Sequence, residues 1–372
     1  MLLFGVSLLA MGALLPSMAA RFSLDGVASG ALVSLLPVGL LAGSLIFGPI
    51  VDRFGYRGPL ATSALVVIGG LEALAAAPSV GMLRVAILAV GFGGGVLNGA
   101  TNALVADISA GARGARLSLL GVFFGLGALG MPVLLGALRG FDQAAVMGAI
   151  GAALVLPVLF MGTIAYPAPK HAQGFPLAEG AALLRDGTLL AIALTLALQS
   201  GVEGVVNNWT TSYLQSSHAF APSAALFALS AYVAGMTATR LTMAGVLKSL
   251  PEGRVLLAGL VIAMAGMGVV AWAPGLAVAA LGLVLIGAGL AAGFPLLMGW
   301  VAELYPDISG TAFSVVLTIA LPGNMVLNYV MGMLSDWVGV RSLPAYLGAA
   351  LVLEVALAMT ALRLYRRRAA AR

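Results

Sequence analysis

Ser29-Gly-Ala-Leu-Val-Ser-Leu-Leu-Pro-Val-Gly-Leu-Leu-Ala-Gly-Ser-Leu-Ile-Phe-Gly-Pro-Ile-Val51 runs for 23 residues without a charge, and Asp52-Arg-Phe-Gly-Tyr-Arg57 then carries three. At 1.5 Å per residue the apolar run is about 35 Å long as a helix. That is enough to cross a hydrocarbon core about 30 Å thick. The same pattern recurs along the chain. Breaks at charge clusters and Gly/Pro turns leave twelve apolar segments: 2–20, 29–51, 58–77, 80–106, 117–138, 143–165, 188–214, 222–247, 254–273, 275–302, 310–333 and 343–363. The first begins almost at Met1 and lacks the charged start and small-residue cleavage site of a secretory signal, so it is expected to be a mature helix.

The composition leaves little room for another reading. Of 372 residues, 61% are hydrophobic and 8% charged, against roughly 25% charged in a soluble domain. A soluble enzyme, a disordered chain and a nucleic-acid binder are excluded, the last because the net charge of +5 has no polar domain to sit on. There are no cysteines, so disulfides, thiolate metal sites and cysteine nucleophiles are absent. His171 and His218 are too few and too far apart to suggest a metal site. No cofactor and no metal are expected.

The expected fold is an all-α membrane protein of two six-helix bundles, 1–165 and 188–372, joined by a polar linker at 166–187 that holds Pro167, Pro169, Lys170, His171, Pro176, Glu179, Arg185 and Asp186. Lys and Arg set orientation. With the N-terminus inside, Arg53, Arg57, Arg113, Arg116, Lys170, Arg185, Arg240, Lys248, Arg254, Arg363, Arg366, Arg367, Arg368 and Arg372 are cytoplasmic. Arg21, Arg84, Arg139 and Arg341 are not, a split of 14 to 4 that puts both termini in the cytoplasm. The Arg/Ala/Gly bias points to a GC-rich prokaryote, hence an inner membrane. Arg366–Arg368 reads as an anchor to anionic lipid.

Weak internal repeats accompany the two halves. Gly48-x-x-x-Asp52-x-x-Gly55-x-Arg57 is matched in spacing by Gly332-x-x-x-Asp336-x-x-Gly339-x-Arg341, on the opposite face in this topology. Gly235 and Arg240 keep the Gly-to-Arg spacing of five in the eighth segment. Nested repeats of this kind are a feature of secondary transporters.

The motif Gly48-x-x-x-Asp52-Arg53-x-Gly55-x-Arg57, with twelve spans and a central loop, resembles the signature of the major facilitator superfamily across the whole chain. Gly95-Val-Leu-Asn98-Gly-Ala-Thr-Asn102, Phe123-Phe-Gly-Leu-Gly and Gly201-Val-Glu203-Gly-Val-Val-Asn207-Asn208-Trp209 are similar to the fucose/galactose/glucose proton symporter branch. The chain departs from many members in carrying Ile87, not Arg, in span 4. The resemblance implies that spans 1, 4, 7 and 10 line the cavity. It also implies that the Asp52/Arg53/Arg57 cluster locks the cytoplasmic ends. With the matching repeat residues, the expected gating set is Gly48, Asp52, Arg53, Gly55, Arg57, Arg240, Asp336 and Arg341.

Charges inside a span are costly and are functional candidates by default. Three acids qualify: Glu72, Glu203 and Glu354. Glu203 lies on an expected cavity span and is the proton-coupling candidate. At 100° per residue, Gln199, Glu203, Asn207 and Thr210 fall within about 80° of one another. Glu72 and Glu354 read as structural. Asn98/Asn102 and Asn324/Asn328 are i, i+4 amide pairs suited to a hydroxyl-rich solute, with interhelical bonding as the alternative for each. Trp209 and Trp300 are candidates to stack on a sugar ring, and Trp209 lies about 120° around from Glu203. Gly91, Gly95 and Gly99 read as a close-packing face, and Pro322-Gly323 as an interruption of span 11. The substrate set is therefore Asn98, Asn102, Gln199, Asn207, Thr210, Trp300, Asn324 and Asn328.

The expected function is secondary transport of a small hydroxylated solute, a monosaccharide first, by proton symport and alternating access. Protons, solute and lipid are the partners, nucleic acid is not, and the expected state is a monomer. Proton-driven efflux of lipophilic compounds and a non-transporting membrane sensor are the rival readings.

Overall fold

A computed structural model describes residues 1–8, 18, 21–24, 26–137, 143–171 and 177–370. Arg139, Pro176 and Arg372 fall outside them. Among the described residues all regular structure is helical. In chain order the helices are α1 (2–8), α2 (Gly26–Phe54), α3 (Arg57–Ala76), α4 (Val80–Asp107), α5 (Arg113–Ala137), α6 (Gln143–Met161), α7 (Leu177–Leu183), α8 (Gly187–His218), α9 (Pro222–Ser249), α10 (Glu252–Ala271), α11 (Leu276–Leu290), α12 (Gly293–Leu304), α13 (Ser309–Val338) and α14 (Leu343–Ala370). Every segment from the second to the twelfth meets a helix, and the first is described at 2–8. Nine helical stretches among the described residues are long and apolar enough to cross a membrane.

Two features of the helices depart from expectation. Span 10 is two helices, with Ala291 and Ala292 between α11 and α12. Span 11 is one helix, and α13 continues through Pro322. The break falls where Gly293 and Pro295 open α12. Proline is accommodated in a first helical turn but has no N–H to give to the carbonyl four residues back.

The chain forms two compact units: Met1–Ile108, Leu120–Gly180 and Pro306–Leu317 make the first, and Ser109–Leu119, Ala181–Tyr305 and Thr318–Arg372 the second. In the first unit α2 and α4 meet backbone to backbone. A Cβ added to Gly91 would lie 2.4 Å from the Leu36 carbonyl, and one on Gly95 2.3 Å from that of Leu40. Gly99 leaves room for the Phe47 ring. The small-residue face is thus a packing face, as small residues are in lipid, where van der Waals contact drives helix association. Glu72, four residues from the end of α3, fits against Gly151 of α6.

In the second unit α8 packs against α9, α12 and α14, and α10 and α11 pack on each other. Asp186 caps α8, accepting the Thr188 N–H at 2.9 Å and the Leu189 N–H at 3.3 Å. The Tyr305 hydroxyl donates to it at 2.7 Å, and Arg368 pairs with it. Burial pushes the Asp186 carboxyl up, but the Arg368, Tyr305 and Leu189 donors outweigh it and hold the group below the usual carboxylate range. A depressed folded-state value means the stabilisation is complete above the unfolded value near 4 and is lost as pH falls through the folded one. Asp186→Ala should therefore cost about 1 kcal/mol at pH 7. In thermal unfolding in detergent, the gap between variant and parent should close below about pH 4; a gap unchanged by pH would show that the cap contributes no charge.

Candidate functional site

Glu203 sits at the middle of α8, 16 residues after Gly187 and 15 before His218. The residue as a whole is half-buried. Gln199, one turn earlier and buried, donates through Nε2 to Glu203 Oε1 at 2.7 Å and to the Leu290 carbonyl at 2.9 Å. Gly293 makes this possible, because a Cβ there would lie 2.3 Å from Gln199 Oε1. The next carbonyl, Ala291, accepts from Arg240 Nε at 3.4 Å. Ala291 is four residues before Pro295, so its helical partner is the N–H that proline lacks. The break in span 10 therefore presents two consecutive carbonyls to α8 and α9.

The structure sets Arg240, one of the charges expected on the cytoplasmic side, against the break in span 10. Arg240 lies nine residues before the end of the 28-residue α9, about 13 Å from that end. Arg240 and Glu203 interact electrostatically, but they do not form an ion pair.

Two further groups complete the surroundings. Tyr232 of α9 is 2% exposed, and its hydroxyl has no hydrogen bond of ordinary geometry, with Asn207 as a polar neighbour. Glu354 of α14 is fully enclosed, neither carboxyl oxygen has a partner, and it faces Glu203. An ionised carboxylate enclosed without donors costs several kcal/mol. The sequence context of Glu354 reads as structural, and nothing in that context shows that α14 turns this position onto α8.

Of the expected substrate residues, Gln199, Asn207 and Thr210 share the α8 stripe. Asn207 is exposed, and Thr210 is buried with an unpartnered hydroxyl. Asn324 and Asn328 join α8 from α13 in a ladder. Asn324 donates to the Ser200 carbonyl at 2.8 Å, Asn328 to Asn324 Oδ1 at 3.0 Å, and Asn208 to Asn328 Oδ1 at 2.9 Å. Gly204 leaves the space for Asn324, since a Cβ there would lie 2.3 Å from its Nδ2. Gly204→Val should unseat that ladder and lower transport at least about tenfold with a folded protein, while Gly201→Ala, facing the flexible Leu327, should cost less. Equal activity of Gly204→Val and its parent would remove the ladder from the site.

The others lie elsewhere. Asn102 is bonded to Asn98 within α4, to its carbonyl at 2.8 Å and its Oδ1 at 3.0 Å. Trp209 packs near Gly332. Trp300 is fully buried, stacked on Tyr365 at 4.7 Å, with Nε1 donating to Glu252 at 2.7 Å. It lines a cavity of about 300 Å³ with Glu252, Glu303, Arg113 and Arg366 that no α8 residue lines.

In the first unit Asp52 is 1% exposed and sits at the N-terminus of α13. Its Oδ1 accepts the Gly310 N–H at 3.1 Å, and its Oδ2 accepts the Thr311 N–H and hydroxyl, both at 2.7 Å. Gly48 admits this approach, since its Cβ would lie 2.2 Å from the Gly310 carbonyl. Nearby, Lys170 pairs with Asp107 at 2.7 Å, Ser309 donates to Asp107 at 2.8 Å, and Tyr56 donates to the same carboxylate. Burial and the Asp107 charge push the Tyr56 hydroxyl far up, so it remains a donor. No sequence pattern marks Lys170 and Asp107 as partners. Arg57 donates to the Gly162 carbonyl, and Arg53 lies over Phe54. Asp336 and Arg341 are exposed at the far end of α13. The repeated motif shares its turn instead: Gly55 has φ +76° and Gly339 φ +91°, backbone that favours glycine in both copies.

The Major Facilitator Superfamily family model matches residues 1–320. Among solved structures, the chain is similar to the transporter FucP in its outward conformation, with a TM-score of 0.82 and 17% identity over 97% of this chain and 96% of that one. It is similar to the proton:xylose symporter XylE bound to 6-bromo-6-deoxy-D-glucose, at 0.77 and 15% over 95% and 92%, and to the human organic anion transporter MFSD10, at 0.74 and 19% over 96% and 97%. Identities this low speak to the fold. A curated relative, the 4-hydroxybenzoate transporter PcaK of Pseudomonas putida, is 33% identical over 99 residues, which span 26% of this chain and 22% of that protein's length.

Proposed function

The chain belongs to the major facilitator superfamily, and from that premise we propose that it moves a small hydroxylated solute, a monosaccharide first, across the cell membrane by alternating access with a proton carried on Glu203. The observation that carries the reading is the position of that carboxyl. The residue stands at the middle of a spanning helix, half-buried, and its carboxyl is tied through Gln199 to a carbonyl at the break in span 10. Broken helices that offer backbone carbonyls near mid-membrane are where secondary transporters hold substrates and coupling ions. The amides Asn207, Asn324 and Asn328 give hydroxyls both donors and acceptors. Asn98 and Asn102, and the Asp52 cluster as the gate, belong to the same proposal.

Sugar:proton symporters among the structural neighbours support this class. The relative that carries 4-hydroxybenzoate extends it to solutes that are both hydroxylated and acidic. The test is uptake into proteoliposomes under an imposed pH gradient, over a panel of sugars and hydroxy acids. Accumulation of one of them only when the outside is acidic is expected. Uptake indifferent to the gradient for every solute would overturn proton coupling.

A further inference from the structure

The balance of charge at the break in span 10 is incomplete. Arginine does not deprotonate in proteins, and among the described residues Arg240 makes one hydrogen bond there, from Nε to the Ala291 carbonyl. The two terminal nitrogens of its guanidinium, the end that matches a carboxylate with two parallel bonds, have no hydrogen-bond partner among the described residues, and the side chain is half-buried. Glu203 is held at the same break through the preceding carbonyl, yet the two charges do not touch. Among the described residues, the other titratable groups that interact with Glu203 are Tyr232 from α9 and Glu354 from α14, neither of them cationic.

With Glu203 ionised, its charge balances Arg240 across a gap. With Glu203 protonated, Arg240 is the one uncompensated charge at the break. We infer that Arg240 is the anion-binding group of this site, so that the solute carries a carboxylate as well as hydroxyls and binds together with the proton on Glu203. This rests on the reading of Glu203 given above and names the substrate class of the same site. The coupling follows from charge alone: the proton removes the competing carboxylate from Arg240, and by reciprocity the bound carboxylate favours the proton. No bond is made or broken apart from that proton's.

The experiment uses matched probes that differ in one group. D-gluconate is paired with D-sorbitol, and 4-hydroxybenzoate with 4-hydroxybenzyl alcohol, by ligand-induced thermal stabilisation of the purified full chain from pH 5 to 8. At least one acid should stabilise saturably and its alcohol should not. Its affinity should fall by about tenfold per pH unit once Glu203 ionises, as expected for one proton taken up per anion. Glu203→Gln should abolish that slope and bind the acid at pH 8 as the parent does at pH 5. Arg240→Gln should weaken the acid about 30-fold or more, and Arg240→Lys, which keeps the charge and loses the fork, should fall between. Thermal unfolding without ligand checks that each variant is folded.

An alcohol that binds as tightly as its acid, absence of binding by both acids, or a pH slope that persists in Glu203→Gln would overturn the inference. Uptake of a neutral sugar that is driven by pH and lost in Glu203→Gln would overturn it alone and leave the proposed function standing. Loss of pH-driven uptake for every solute would count against both.

Discussion

Glu203→Gln should reduce solute accumulation in energised proteoliposomes to the equilibrium level while leaving exchange across unenergised membranes within about threefold of the parent. One proton per solute supports about tenfold accumulation for each unit of pH gradient, so a two-unit gradient separates the outcomes by about a hundredfold. The substitution is close to isosteric. A glutamine oxygen can still accept from Gln199, whose other donor bond to the Leu290 carbonyl is untouched, so the packing of α8 should hold. What is lost is the exchange of a proton at mid-membrane. Accumulation preserved in the variant would place coupling elsewhere, with Glu354, enclosed on α14 and facing Glu203, the next residue to replace.

Asp52→Asn should open the contact at the start of α13. The carboxylate accepts three donors there, two of them main-chain N–H groups at a helix N-terminus, where a negative charge is favoured by the helix dipole. Asparagine keeps the size but offers one acceptor oxygen and turns an NH₂ toward donors. The loss is about 2–3 kcal/mol for charge-assisted bonds, or a shift of roughly 30-fold to 150-fold toward the open contact. The absence of cysteines makes this measurable. Ala312, fully buried in the first turns of α13, becomes a single-cysteine reporter as Ala312→Cys. Its labelling by an impermeant maleimide should be slow in the parent background and faster by at least tenfold in the Asp52→Asn background. Equal labelling would show that the cap does not hold the contact closed.

The fold was legible because it rests on a coarse signal. A spanning helix must be about 20 apolar residues long, and charge clusters such as Asp52/Arg53/Arg57 punctuate the segments. Glu203 was legible for the related reason that an acid in the middle of such a segment is conspicuous. The break between Leu290 and Gly293 was not, because 276–304 reads as one apolar segment, with an 18-residue window of mean hydropathy 2.3. A signal was present in Gly293-Phe-Pro295, since proline strips a bond from the residue four places earlier and so marks Ala291. Pro322-Gly323 is the more visible pair, yet α13 absorbs it: Gly323 comes against the Ala197 carbonyl, where a Cβ would lie 2.5 Å away. Arg240 reads from sequence as a topology charge near a segment end, and only the packing of α9 shows the Ala291 carbonyl that it meets. Trp300 is drawn to the solute by its span alone, while its partners Glu252 and Tyr365 come from other helices that no local pattern connects to it.

Pro322 has one more consequence. The carbonyl it leaves without a helical donor is that of Thr318, and the two compact units divide α13 between Leu317 and Thr318. The single rung missing from a 30-residue rod thus falls at the seam. Upstream lies the turn capped by Asp52, and downstream lie Asn324 and Asn328. A helix with one rung removed resists stretching and torsion much as before but yields more readily to bending. α13 is in engineering terms a rod with a flexure, a place where a bend costs less than elsewhere along its length.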